Sequence, residues 1–398
     1  MRKDDTNTPA STIQGIRSVS TYLADTKQVP MSFNPIRFNR KDRPEFVTAL
    51  RQRVNAYFTD NNISRHANTR MKFKTGFMLA LYFVPFVLLL CNVFTGFWGQ
   101  MLMWFLMAGG MTGIGTCVMH DANHGSYSRN KYVNRVLGFM SNFLGAYDTN
   151  WRIQHNVLHH TYTNIDGHDG DISNPVLRFS PTQPRKSINR IQAFYAPVLY
   201  AMMTLYWTTA KDFEALSRYT KQDLVKTQNL SNAAAWAILI FNKTWYLAIT
   251  LVLPMLVLAG PWWWPVVGFV MMHALCGMSL AFVFQTAHVV QETNFLPVQE
   301  QRGSVENNWM IHQLETTANF AAGSRLFSWF IGGLNYQIEH HLFPNICHVH
   351  YRKISEIVRQ TAKEYNVPYQ EYSTFGAALW SHFKHLHQLG KREVAPAA

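Results

Sequence analysis

Two long stretches of this chain carry no Asp, Glu, Lys or Arg: Thr75 to His120 and Thr244 to Gln291. A helix crossing a lipid core about 30 Å thick needs roughly 20 apolar residues. Each stretch is therefore long enough for two crossings and a tight turn. The turns are visible as TGFWGQ (95–100) and GPWWWP (260–265). Gly permits the reversal, and Trp suits the headgroup level. The expected fold is all-α: a polytopic membrane protein with four transmembrane helices in two hairpins, 75–94 with 98–119 and 244–259 with 266–288. The alternative is a soluble protein with buried core helices, but uncharged runs of this length are rare in soluble folds.

Charge and hydropathy set the proportions. Charged residues are 15% of the 398, the formal net charge is +13, and the mean hydropathy is −0.10. That value is too low for a chain mostly in lipid and fits a few spans with a sizeable water-facing part. Residues 1–74 hold fourteen Lys/Arg against six Asp/Glu, directly before an apolar wall. This arrangement reads as a membrane-proximal segment rather than an arm for nucleic acid. The short turns lack Lys and Arg, so the positive-inside rule places both termini and the middle of the chain in the cytoplasm. Four cysteines without a CxxC pair argue against a zinc knuckle, a redox dithiol or a disulfide framework. The first thirty residues lack an apolar core, so no cleavable signal peptide is expected.

Two segments need separate treatment. IQAFYAPVLYAMMTLYWTTA (191–210) is apolar enough for a fifth span, but a crossing there would divide the histidine clusters between the two sides. It is expected to be interfacial or re-entrant. YVNRVLGFMSNFLGAY (132–147) reads as an amphipathic surface helix. Residues 1–34 are expected to be disordered, 35–390 to form one domain, and 391–398 to be a loose tail.

Three clusters carry the chemistry: HDANH with His120 and His124, HNVLHH with His155, His159 and His160, and QIEHH with Gln337, His340 and His341. Spacings of three and four place side chains on one helix face. With four spans, all three clusters reach the same side of the membrane, in a helical cap. His66, His168, His382, His385 and His387 read as ordinary surface or core residues. No Cys joins the clusters, and imidazole without thiolate suits iron, zinc, copper or nickel. Seven imidazoles exceed one ion, so two metals are implied. A two-metal zinc hydrolase normally mixes in carboxylates, whereas an all-nitrogen pair beside a membrane points to iron and dioxygen.

The boxes HxxxH, HxxxHH and QxxHH, in that order, resemble those of the integral-membrane fatty-acid desaturases. So do the flanking words WRIQHNVLHHTYTN and GGLNYQIEHHLFPNICHVHY. The resemblance covers roughly residues 35–365. A third box opening with Gln rather than His is similar to the front-end branch, of delta-6 and delta-5 type. Members of that branch insert a cis double bond between an existing one and the carboxyl end.

The resemblance implies dioxygen-dependent desaturation of a fatty acyl chain on CoA or on a lipid, with two iron ions as cofactor and O2 as co-substrate. It implies metal ligation by His120, His124, His155, His159, His160, His340 and His341, with His288 as a further ligand ending the last span. It also implies a catalytic role for Gln337, through its side-chain oxygen or a bound water on iron. The competing role for Gln337 is to orient its neighbours. His273 lies nearer mid-span and reads as packing or a hydrogen bond. His312, His348 and His350 are candidates for supporting positions. Asp121, Asp169, Asp171 and Glu339 are candidates to accept the distal N–H of a ligating imidazole, although Asp169 and Asp171, in GHDGDISNP, equally suit a solvated loop.

The N-terminal segment departs from many front-end desaturases in having no HPGG haem motif. Electrons are then expected from a separate donor, ferredoxin or cytochrome b5, drawn to a positive surface. An acyl tunnel with apolar and aromatic walls is also expected. The closest competing readings share the metal pair: a lipid hydroxylase, a ketolase or a sphingolipid desaturase. A metal transporter would place ligands within the spans, where only His273 lies.

Overall fold

The computed structural model describes Phe33 and residues 35–295 and 303–391, and these are mostly helical with almost no sheet. The segment expected to be disordered, 1–34, and the expected tail, 391–398, lie outside the described residues except for Phe33 and Lys391. The helices in chain order are α1 (Pro44–Asp60), α2 (Thr69–Leu90), α3 (Phe97–Asn123), α4 (Lys131–Gly138), α5 (148–162), α6 (Gln192–Ala201), α7 (203–221), α8 (Asn232–Val257), α9 (Trp263–His288), α10 (Trp309–Thr316), α11 (Arg325–Phe330), α12 (Gln337–Leu342), α13 (Tyr351–Glu364) and α14 (Phe375–Lys391). Two short parallel strand pairs join distant segments: β1 (Arg37–Phe38) with β2 (Ser304–Val305), and β3 (Ala318–Phe320) with β4 (Gln370–Tyr372).

Among the described residues, α2, α3, α8 and α9 are long and apolar enough to cross a membrane. Helix α2 begins where the Asn68 side chain accepts from the Met71 amide at 3.0 Å, satisfying one of the free donors of a helix start. It ends at Asn92, whose φ of 52° is left-handed and cannot continue the helix. The Asn92 side chain donates to the Val257 carbonyl at 2.8 Å and accepts from the Ala259 amide at 2.7 Å. The two predicted turns therefore lie side by side. Trp98 and Trp262 beside them are 80% and 66% exposed, as headgroup-level residues would be.

The spans start and stop differently from the charge-free windows. Helix α2 begins six residues earlier, because Arg70, Lys72 and Lys74 are accommodated in its first turns. Helix α8 begins at Asn232, twelve residues before the window, and runs straight through Lys243. That lysine is buried against Asp212 at 2.6 Å, so its charge does not break the helix.

Small residues set the approach of the spans. A Cβ on Gly110 would lie 2.5 Å from the Tyr82 amide nitrogen, so α3 touches the backbone of α2 there. A Cβ on Gly113 would meet only the flexible Met78 side chain. Gly110→Ala is therefore expected to cost about 1–3 kcal/mol through forced separation, and Gly113→Ala distinctly less. Thermal unfolding of both variants in detergent checks the order.

The segment 191–210 is not one helix. It breaks at Met202, between α6 and α7. Phe194, Val198 and Met202 are exposed along one side, while Gln192, Ala196 and Tyr200 are buried on the other. Helix α4 carries exposed Tyr132 and Val136 and gives way to a tight 3-10 turn over Phe139–Leu144. A second apolar core, separate from the spans, joins α1, α10, α12 and α13 through Phe46, Leu50, Ile311, Leu342 and Val358. This core carries the third histidine box.

Candidate metal centre

The first box ends α3, just after a wide π-type turn at Ile114–Val118. The second sits in another π-type turn, Arg152–His159 within α5. Such turns are rare and cluster at functional sites. Here the wider turn lets His155 and the adjacent pair His159 and His160 point into one volume. The third box forms the short helix α12. It is entered through Gly332 and Gly333, both left-handed at φ of 66° and 65°. A Cβ on Gly332 would lie 2.2 Å from the Thr116 carbonyl oxygen, so only glycine lets this linker lie against α3. His288 is the last residue of α9.

The eight histidines converge. His120, His124, His155 and His340 place one ring nitrogen each within 4.8 Å of one another. His159, His288 and His341 form a second such group, and His160 forms a third with His340 and His341. His160 Nε2 approaches His340 Nε2 at 2.9 Å and His155 Nε2 at 3.2 Å, bridging the sets. Gln337 is 1% exposed and lies beside the His288 imidazole.

The outer nitrogens are held by acceptors or hydroxyls. His159 Nδ1 donates to Asp169 Oδ2 at 3.0 Å, His341 Nδ1 to Gln313 Oε1 at 2.8 Å and His288 Nδ1 to the Thr316 carbonyl at 3.2 Å. His340 Nδ1 lies 3.3 Å from the Tyr351 hydroxyl. His120 Nδ1 is 3.6 Å from Asp121, whose other oxygen binds His348 Nδ1 at 2.8 Å. The far side of His348 meets Lys74 Nζ at 2.8 Å. A donor on Nδ1 leaves the Nε2 lone pair facing inward.

Several inward atoms find no partner among the described residues: Nε2 of His120, His124, His288 and His341. The Gln337 amide nitrogen is likewise alone. A buried polar atom left unpaired costs about 1–3 kcal/mol, so a cluster of them calls for an occupant. Burial and then the neighbouring imidazoles push His124, His155, His160, His340 and His341 well below the ordinary histidine range. Neutral imidazoles with inward lone pairs suit cations. Burial pushes His159 down too, but the Asp169 carboxylate overrides it and holds this residue above the usual value. The donor set, nitrogen without thiolate, fits iron.

The other sequence candidates fall in different places. Asp169 is buried against His159, and Asp171 Oδ2 lies 3.6 Å from the same ring. Glu339 lies elsewhere. It accepts from Asn319 Nδ2 at 2.8 Å and the Tyr369 hydroxyl at 3.0 Å, and burial pushes its carboxyl up to about 7. His312 Nε2 bonds the Thr163 carbonyl at 2.9 Å, and His350 packs on Phe58. His273 bonds the Tyr246 hydroxyl at 2.8 Å. Gln313, Tyr351 and Thr316 were not singled out in the sequence. They are neutral and carry no spacing signal; Gln313 and Thr316 lie more than twenty residues before the third box, and Tyr351 only closes its flanking word.

A narrow slot, with a cavity volume of about 60 Å³, opens beside His155, His159 and His288, between α5, α7 and α9. Trp151, Phe284 and Ala281 give it an apolar lining, and Gln154 and Lys211 a polar one.

Comparison with known proteins places these features in one group. The "Fatty acid desaturase" family profile matches residues 96–373. The chain is 36% identical over 360 residues to an "sn-1 linoleoyl-lipid 6-desaturase" of Synechocystis sp., covering 87% of this chain and 96% of that protein. It is 36% identical over 363 residues to an "Acyl-lipid (8-3)-desaturase" of Physcomitrium patens, covering 88% and 73%. It is 32% identical over 362 residues to a protein of the same name from Mortierella alpina, covering 87% and 78%. The four apolar helices, the clustered histidine boxes and these matches agree, and the chain belongs to the fatty acid desaturase family.

Proposed function

We propose that this protein is a front-end desaturase that inserts a cis double bond between an existing one and the carboxyl end of a fatty acyl chain carried on a lipid or on CoA, of delta-6 or delta-5 type. The observation that carries this reading is the buried convergence of three histidine boxes, with unpartnered inward nitrogens, in a chain of this family. The relatives named for 6- and (8-3)-desaturation of lipid-linked chains support the regiochemistry. Residues 35–390 act as one domain. The four spans form two hairpins, α2 with α3 and α8 with α9. The histidines and both termini lie on the cytoplasmic side, as the distribution of Lys and Arg favours.

Two iron ions fit the donor set. His120, His124, His155 and His340 would hold one. His159, His288 and His341, with Gln337 alongside, would hold the other, and His160 stands between them. When bound, the pair supplies the dioxygen chemistry that takes two hydrogens from adjacent unactivated methylenes. The protein does the rest. Asp169, Gln313 and the Thr316 carbonyl fix the ring orientations. Trp151, 4.4 Å from the His155 ring by centroids, and Phe284 wall the slot beside the reacting carbons and exclude water. Electrons come from a separate acidic carrier, ferredoxin or cytochrome b5, drawn to the positive chain.

Expression in a host without polyunsaturated lipids, fed linoleate, tests this reading. Mass spectrometry is expected to find a new, dioxygen-dependent double bond on the carboxyl side. A hydroxylated chain instead would move the protein to the hydroxylases. Exchangeable metal with no such product would favour transport. Within this reading, Gln337→Ala is expected to abolish product while expression is unchanged. Retained turnover in that variant would remove Gln337 from the chemistry.

A further inference from the structure

The slot beside the histidines differs at its two ends. Met203, Trp207 and Lys211 of α7 line one wall. They recur at intervals of four residues along α7, the last two in a π-type turn over Trp207–Lys211. At the Met203 end the opposite wall is apolar, with Ala281 and Phe284 of α9. At the Lys211 end it is polar. Asp171 there accepts from Gln154 Nε2 and is the carboxylate that attracts Lys211 most strongly. His155, His159 and His288 open onto the same slot.

The Lys211 ammonium is underused by the protein. It lies 5.1 Å from the centre of the Trp207 ring, and Asp171 and Asp212 attract it while Arg218 repels it. Yet Asp212 is committed to Lys243 at 2.6 Å and to the Tyr147 amide at 2.8 Å. Asp171 is shared with Gln154 and His159. Among the described residues, no hydrogen bond holds Lys211 Nζ. Burial lowers its pKa from the ordinary lysine value, as expected for a cation partly withdrawn from water.

A fatty acyl chain is polar at one end only, so a slot with one cationic and one apolar end admits it in one direction. We propose that Lys211 binds the oxygen atoms of the acyl head, the carbonyl and any adjoining anionic group. It thereby sets which carbons stand at the histidines by distance from the carboxyl end. This rests on the desaturase reading and deepens it, because it names the residue from which the double-bond position is counted. A glycerolipid ester and a CoA thioester both present this head chemistry.

The test uses the full chain in liposomes, with linoleoyl glycerolipid and linoleoyl-CoA as separate arms. Lys211→Met is expected to raise KM about tenfold or more for the true carrier, the loss of one charge-assisted contact. The new double bond should spread to neighbouring carbons, with kcat changed less. Lys211→Arg should restore both. Binding of a saturated analogue without dioxygen should weaken by the same factor, and the arm that responds identifies the carrier. If Lys211→Met does not fold, Lys211→Gln is read in its place. Unchanged KM, analogue affinity and bond position would overturn the proposal. Absence of product from the wild type would instead defeat the desaturase reading, while analogue binding would still report on Lys211.

Discussion

His340→Ala is expected to remove all detectable product while the protein stays folded. His340 belongs to the four-histidine group and also to the group with His160 and His341, so its loss disturbs both proposed metal positions. Weakening even the residues that support a ligand typically costs 10–100-fold in metal affinity, and removing a shared ligand costs more. Iron content is therefore expected to fall by at least half. Stability of the metal-free protein should move less than iron content, because the neighbouring Nε2 atoms of His120, His124 and His341 already go unpaired without an occupant. Functional sites commonly carry such a stability cost. Iron analysis and thermal unfolding of the stripped variant separate the two effects. Full iron loading in His340→Ala would remove it from the ligand set.

Lys243→Met is expected to be the most destabilising single change away from the histidines. Lys243 Nζ contacts Asp212 Oδ2 at 2.6 Å, the Gly145 carbonyl at 2.5 Å and the Trp207 carbonyl at 2.7 Å. Asp212 in turn accepts from the Tyr147 amide at 2.8 Å and Asn150 Nδ2 at 3.1 Å. Both partners are nearly fully buried. Removing one member of such a pair leaves an uncompensated charge and costs about 3–5 kcal/mol. Adding Asp212→Asn should recover part of that loss, since the amide oxygen still accepts from Tyr147. Tyr147 caps and Asn150 opens α5, which carries the second box, so iron loading should fall together with stability. Unfolding of the two single variants and the double variant measures the coupling. Additive losses would show that the pair is not a unit.

Much of this was legible in the sequence, and the exceptions have physical causes. The spans announced themselves because lipid excludes unpaired charge. The start of α8 did not, because the charge of Lys243 is cancelled by a partner 31 residues away in the chain. Spacing grouped the histidines within boxes that the structure brings together, but it implied ordinary helical faces. The π-type turn over Arg152–His159 leaves no mark in composition. Glu339 adjoins His340 in sequence, and that adjacency misled. Successive helical residues point in different directions, and Asn319 and Tyr369 claim the carboxylate. Lys211 drew no notice, since a lone lysine in a polar stretch becomes distinctive only when a slot forms around it.

The most direct measurement is iron content against product formation in the purified protein. It should be loaded with ferrous iron, supplied with an electron donor and given a linoleoyl substrate. The expected result is about two iron ions per chain, with desaturation rising in proportion to iron and vanishing when the metal is chelated. Full desaturation in iron-free protein, or in protein holding only zinc, would contradict the account.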